Sequence, residues 1–222
     1  MITMGADVAK AKRKPSTSGD ETKARILAAT LETLKAEGIV GTSARAIARA
    51  GDFNQALIFY HFGSVDDAII AAVGQMSARR IENHSKKLAE ANSLPELIRV
   101  ARDLHNDDTA TDNMTVLAQA FAGAAGDAEM GPKLYAELEP WSQMVGETIK
   151  RVVADAPGAA SVPTDQIANA ISAMFLGIEL LDDLDPSREH ATSLFDSLEA
   201  LAELLDDLLA TPLLDMMLPD RN

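Results

Sequence analysis

The sequence predicts an all-α protein, and three observations carry that expectation. Apolar residues recur at helical spacing from Glu21 onward, no segment alternates with the period of two that a strand needs, and no two-residue hairpin turn appears. No unit of solenoid length repeats. The 222 residues suffice for a full core, and 47% hydrophobic content with mixed charges fits a globular chain better than a disordered one.

Residues 1–19 are small, polar and basic, with Pro15 and Gly19, and read as a disordered basic arm carrying Lys10, Lys12, Arg13 and Lys14. From Glu21 the pattern turns helical. Leu27, Leu31 and Leu34 stand at i, i+4 and i+7, Ile26 and Thr30 widen the stripe, and Gly38 ends it. A short second helix is expected through Ala44 to Ala50, capped by Thr42 or Ser43. The turn Gly51-Asp52 separates it from a third helix in the stretch QALIFYHF, which starts at Gln55. Ser64 opens a fourth: Ser64-x-x-Asp67 resembles a capping box, and Asp66 and Asp67 suit the positive end of the helix dipole. Ile69, Ile70, Val73 and Met76 carry that helix toward Asn83.

Leu94, Leu97, Ile98 and Leu104 mark the next helix, after Ser93-Leu94-Pro95, and the segment from His105 to Asp112 reads as its end running into a loop. Met114, Leu117, Ala118 and Phe121 mark another, stopped by Gly123 and Gly126. Leu134 to Val153 makes a long one in which Pro140 predicts a kink, and Pro157-Gly158 then breaks the chain. The last two helices have the strongest patterns. Ile167, Ile171, Met174, Phe175, Ile178 and Leu181 share one stripe. Beyond Pro186, the residues Leu194, Leu198, Leu201, Leu205 and Leu208 form a heptad-like seam, broadened by Leu204 and Leu209.

Charge divides the chain. Residues 1–65 hold nine Lys/Arg against six Asp/Glu, a net of +3, and the remainder carries -17 of the total -14. Nucleic acid repels the second part and not the first. There are no cysteines, so disulfides and thiolate metal sites are excluded. No apolar run approaches a membrane span, and the first residues lack the apolar core of a secretory signal, so a cytoplasmic location is expected.

Three short helices joined by tight turns describe a helix-turn-helix, whose second member enters the major groove with its N-terminal residues at base edges. Asn54 and Gln55 occupy that place, and amide side chains pair with adenine in two-point fashion. Ala56, Leu57 and Phe59 offer apolar contact to thymine methyls, and Tyr60 and His61 stand near phosphate oxygens at the helix end. Phe53, Ile58 and Phe62 are expected to face inward.

The run Thr42-Ser43-x-Arg45-x-Ile47-Ala48-x-x-Gly51-Asp52-Phe53-x-x-x-x-Ile58-Phe59-Tyr60-His61-Phe62-x-Ser64 resembles the DNA-binding domain of the TetR family of bacterial transcription repressors. The resemblance implies an N-terminal three-helix DNA-binding domain with a helix-turn-helix (residues 20–66) and a larger C-terminal helical ligand-binding and dimerisation domain (67–222). It further implies a homodimer that binds a palindromic double-stranded DNA operator and is released by a small-molecule effector, with no cofactor. By position, Asn54, Gln55, Ala56, Leu57 and Phe59 become the base-facing surface, and Thr42, Ser43, Arg45, Tyr60 and His61 the backbone contacts. Three residues depart from the family pattern. Asp52 stands for a usual Gly, Leu57 for a common Thr, and Val65 for a phosphate-contacting Lys. Loss of one phosphate contact lowers the salt slope by about one unit, which the Lys10–Lys14 arm offsets if it reaches DNA. The alternative is a helical ligand- or protein-binding module that has lost specific DNA binding.

For the larger part, an apolar pocket between helices is expected. Candidate lining residues are His105, Asn113, Met114, Phe121, Trp141, Met144, Met174 and Phe175, with Gln119, Tyr135 and Asn169 as further polar candidates. The dimer seam is expected at Ile171, Phe175, Ile178, Leu194, Leu198, Leu201 and Leu205, with Gly177 allowing close helix approach and Glu199, Glu203, Asp206 and Asp207 on a solvated face. No metal is expected: His105 with Asp107, Asp108 and Asp112 has no defensible ligand spacing. Gly-rich phosphate loops, His-Glu-x-x-His and Gly-x-Ser-x-Gly are all missing, so no enzyme chemistry is expected.

Overall fold

The computed structural model describes residues 17–155, 159, 162–185 and 189–209. Lys10–Lys14, Pro157-Gly158, Pro186 and the side chains of Leu208 and Leu209 lie outside the described residues. Among those described there are nine helices: α1 (Thr17–Gly41), α2 (Ala44–Gly51), α3 (Ala56–Phe62), α4 (Val65–Glu90), α5 (Leu94–Thr111), α6 (Asn113–Ala124), α7 (Met130–Val152), α8 (Thr164–Leu184) and α9 (Glu189–Leu209).

Two cores meet at the start of α4. The smaller joins Ile26 and Ala29 of α1 to Ile47 of α2, Ile58 of α3 and Ala68 of α4, with Phe53, Leu57 and Phe62 closing it. The larger gathers Leu34, Ile69, Val73, Met76, Val116, Leu117 and Leu134 from α1, α4, α6 and α7. Val65 packs against both, so position 65 supplies apolar contact at the junction and no charge. A third cluster seats Phe195 of α9 and Phe175 and Ile178 of α8 against Leu104 of α5. A fourth joins Ile149 and Val153 to Ala168. Each large side chain so buried stabilises the fold by about 1.5–3 kcal/mol.

Several expected boundaries move. The first helix begins at Thr17, inside the stretch read as disordered, and Gly38 bends it (φ 67°, ψ −178°) before a further turn to Gly41. The fourth helix runs past Asn83 to Glu90. The segment from His105 is helical to Thr111, and a single left-handed residue, Asp112 (φ 53°), separates it from α6. Helix α6 ends at Ala124, between Gly123 and Gly126; a Cβ on Gly123 would stand 2.7 Å from Cγ1 of Ile39, so the glycine admits α1. Helix α7 begins at Met130, before the expected Leu134, and includes Pro140.

The expected dimer seam divides. Phe175 and Ile178 are core residues of the single chain, because α5 and the Phe195 ring of α9 already cover them. Leu194, Leu201 and Leu205 are exposed, and Leu181 and Leu184 of α8 are more so. Leu198 is half-buried. Among the described residues, no atom of another element stands within 4 Å of a Cβ built on Gly177, so that glycine seats no neighbouring helix there. Glu199 does more than face solvent. With Asp196 it binds Arg99 and Arg102, pinning α9 to α5.

Candidate nucleic-acid interface and the cavities behind it

The turn between α2 and α3 is fastened from both sides. The Ser43 hydroxyl accepts from the Ala46 N–H at 3.2 Å, capping α2 at its start. At its end Asp52 adopts the left-handed conformation (φ 51°) and donates its N–H to the Ala48 carbonyl. Arg25 of α1 donates to the carbonyls of Gly51 (3.2 Å) and Asp52 (2.6 Å) and lies over the Phe53 ring. Gly51 leaves no room for a side chain: its Cβ would stand 2.8 Å from that of Ala29 and collide with Phe53. Ser64 then caps α4, its hydroxyl accepting from the Asp67 N–H and donating to the Asp67 carboxylate. The Lys133 ammonium, with Ser64, holds the Asp67 carboxyl below its ordinary range.

This scaffold presents one face of α3. Gln55, Ala56, Phe59 and Tyr60 are exposed, Tyr60 with 81% of its surface free, and His61 packs edge-on against the Tyr60 ring. Asn54 is exposed; its Oδ1 accepts from the Ala56 N–H at 2.9 Å, which orients the side chain and leaves its amide NH2 to donate. Two expected contacts are spent elsewhere. Leu57 is half-buried against the small core, and Thr42 is buried with its hydroxyl donated to the Gly38 carbonyl at 2.7 Å. Ser43 and Arg45 are exposed, and Arg45 has no ion pair among the described residues, whereas Arg49 pairs with Glu37.

Behind this domain lie two cavities. The first, about 360 Å³, is walled almost wholly by apolar side chains, among them Leu97, Ile98, Ala101, Ile171 and Met174; its two hydroxyls are Thr148 and Ser172. The second, about 340 Å³, is lined by Met114 and Phe121 together with Arg80, Tyr135, Ser142 and Asn169. Trp141, Ser172 and Phe175 border both. Of the expected lining residues, Met114, Phe121, Trp141, Met174 and Phe175 therefore reach a cavity, as do Tyr135 and Asn169. Met144 lines neither of these two.

His105 lines a further, more polar cavity of about 350 Å³ with Arg102, Thr109 and Asp182, and both His105 and Asn113 belong to a buried ionic cluster. His105 directs Nδ1 at Glu179 and Nε2 at Asp182, each at 3.1 Å. The hydrogen bond to Glu179 raises the imidazole pKa above its ordinary 6.5, against the opposing effect of burial. Burial pushes the Glu179 carboxyl up, and His105 opposes that rise. Arg80 of α4 pairs with the buried Asp108 of α5, to which the Asn113 amide also donates. The sequence carries a signal for this cluster that periodicity alone passes over. Arg80 continues the Ile69, Val73, Met76 stripe, and Glu179 and Asp182 continue that of Ile171, Phe175 and Ile178, so charges stand where apolar residues belong.

Residues 26–72 match the family described as "Bacterial regulatory proteins, tetR family". An uncharacterized HTH-type transcriptional regulator of Mycobacterium tuberculosis is 25% identical over 159 residues, covering 70% of this chain and 77% of that protein. Among solved structures, a TetR-family regulator from Cytophaga hutchinsonii superposes with a TM-score of 0.67 at 20% identity, over 86% of this chain and 97% of its own. A fatty acid degradation regulator, FadR, from Bacillus halodurans gives 0.67 at 15% identity, over 86% and 96%.

Proposed function

This chain belongs to the tetR family of bacterial regulatory proteins, and from that premise we propose that it is a dimeric transcriptional repressor, released from a palindromic operator by a small molecule. The observation that carries the reading is the exposed face of α3, where Gln55, Ala56, Phe59 and Tyr60 stand together on a helix locked by Arg25, Asp52 and Ser64. Gln55 and the Asn54 amide read base edges, while Tyr60, His61, Ser43 and Arg45 meet phosphates.

Coupling runs along two helices. Helix α4 begins between the two cores and carries Ser77 and Arg80 to the wall of the second cavity. Helix α6 lines that cavity with Met114, Leu117 and Phe121, and its Gln119 accepts from the Ile39 N–H at 2.8 Å, one residue past the bend of α1. Lys35 adds a bond from α1 to the Thr111 carbonyl at the end of α5. A ligand that displaces α4 or α6 thus moves the reading head. Operator half-sites lie about 34 Å apart, so a small change in head separation breaks register. The ligand acts only as far as it prefers the released state.

The test is selection of bound sequences from random duplex DNA, with affinity followed against salt. A recovered palindrome, steep salt dependence and a loss of about 1–3 kcal/mol in Gln55→Ala are expected. A second reading, a helical binding module without specific DNA contact, draws on Val65 and on the acidic Asp66 and Asp67 beside the reading helix. If no duplex is enriched at low salt, that second reading replaces the first.

A further inference from the structure

Two of the buried polar atoms that lack a hydrogen-bond partner, Arg80 Nε and Ser172 Oγ, belong to residues that line the second cavity. Both are donors. Arg80 gives an outer guanidinium nitrogen to Asp108 and lies over the rings of Trp141 (4.7 Å) and Phe175 (6.0 Å), which leaves its Nε–H unused. Ser172 stands in the wall shared by both cavities, and in the first it is the one spare hydroxyl, because Thr148 donates to the Met144 carbonyl at 2.8 Å. Unused buried donors call for an acceptor, and a cavity walled by Leu, Ile, Val and Met calls for a hydrocarbon.

We propose that the effector is a neutral amphipath, with a hydrocarbon part filling the first cavity and a carbonyl oxygen at the shared wall, accepting from Ser172 and Arg80. The charge balance selects neutral over anionic. Asp108 already neutralises Arg80, Glu179 stands behind that pair, and Glu139 lines the same cavity. A carboxylate placed there adds a negative charge to a site with no free cation among its described lining residues. Esters, amides and lactones with a long alkyl part meet the requirement; free fatty acids and bare alkanes each miss one half of it. The inference rests on the ligand-responsive reading above only for its consequence on DNA.

The single tryptophan, Trp141, sits in the shared wall and reports occupancy by its own fluorescence. Methyl dodecanoate, dodecanoic acid and dodecane are titrated into the full chain, and binding is confirmed by calorimetry. The ester is expected to bind saturably and about tenfold more tightly than either relative, with the Ser172→Ala variant losing most of that margin over dodecane. Ala101→Phe, which fills the first cavity, is expected to weaken all three, and circular dichroism establishes that both variants fold. Equal binding of ester and alkane, tightest binding of the acid, or an unchanged ester margin in Ser172→Ala overturns the proposal, and none of these needs DNA. A separate operator-release assay decides the other question: ester bound without release leaves the ligand class standing and removes its regulatory role.

Discussion

His105 shows what one buried side chain contributes. Both ring nitrogens face carboxylates at 3.1 Å, so the imidazolium donates twice and the folded state holds its proton more tightly than the unfolded chain does. The stability that follows is fully present below the ordinary pKa of 6.5 and is lost as pH rises through the higher folded value. Glu179, also raised, acts in the same direction. His84 acts oppositely: burial lowers its pKa despite the nearby Asp107 and Asp108, so its contribution is present above 6.5 and lost as pH falls. Melting curves from pH 5.5 to 8.5 are therefore expected to show the wild type losing stability on the alkaline side. In His105→Gln that alkaline decline flattens, and the whole curve drops by about 3 kcal/mol or more at pH 6, since two buried carboxylates lose their cation. An alkaline limb equal in both proteins would place the titration elsewhere. The cluster was only half legible in sequence. Charges on the stripes of α4 and α8 are visible at Arg80 and Glu179, yet which partner each meets depends on how α4, α5 and α8 pack. For the same reason Thr42 reads from sequence as a phosphate contact, whereas the bend at Gly38 turns its hydroxyl inward.

At the level of elements, the reading head was legible because its signals are local. Ser43 and Ser64 cap the helices they precede, Asp52 tolerates the left-handed turn, and Phe53, Ile58 and Phe62 face the small core as their spacing requires. What sequence missed is the docking of that head on α6. Gly123 read only as part of a helix stop; in the last turn of α6 it is also the gap occupied by Ile39, whose N–H is held by Gln119. Gly123→Ala puts a methyl 2.7 Å from Ile39 Cγ1 and 2.8 Å from Cδ1, a collision of the kind that costs about 1–3 kcal/mol. The variant is expected to melt lower and to give weaker effector-dependent release of DNA, because α6 no longer seats on α1. Adding Ile39→Val removes Cδ1 and should restore part of both losses. A double-mutant cycle in which the two changes simply add would mean that this contact is not the source of the effect.

The whole molecule poses a question that one chain cannot answer with its own contacts. Leu181, Leu184, Leu201 and Leu204 leave half or more of their surface to solvent, on the two C-terminal helices whose Phe175, Ile178 and Phe195 are already buried against α5. Periodicity marked those helices as the seam without separating its two halves. Phe175, Ile178 and Leu181 lie on one stripe in sequence, and only the position of α5 and of Phe195 decides that the first two turn inward. An isologous interface built from the outward residues brings Gly177, with open space around its Cα, near the partner. Under the repressor reading proposed above, such an interface would also fix the separation of the two heads, on which operator register would depend. Leu181→Asp places a charge at 66% exposure in the monomer, where it costs the isolated fold little, and in a dimer it would be buried without a cation. The expected outcome is a chain with unchanged helix content that sediments as a monomer and loses most of its operator affinity, since two linked heads bind far more tightly than one. If Leu181→Asp still sediments as the wild type does and binds the operator equally well, α8 is not the interface, and the exposed leucines of α9 become the place to look.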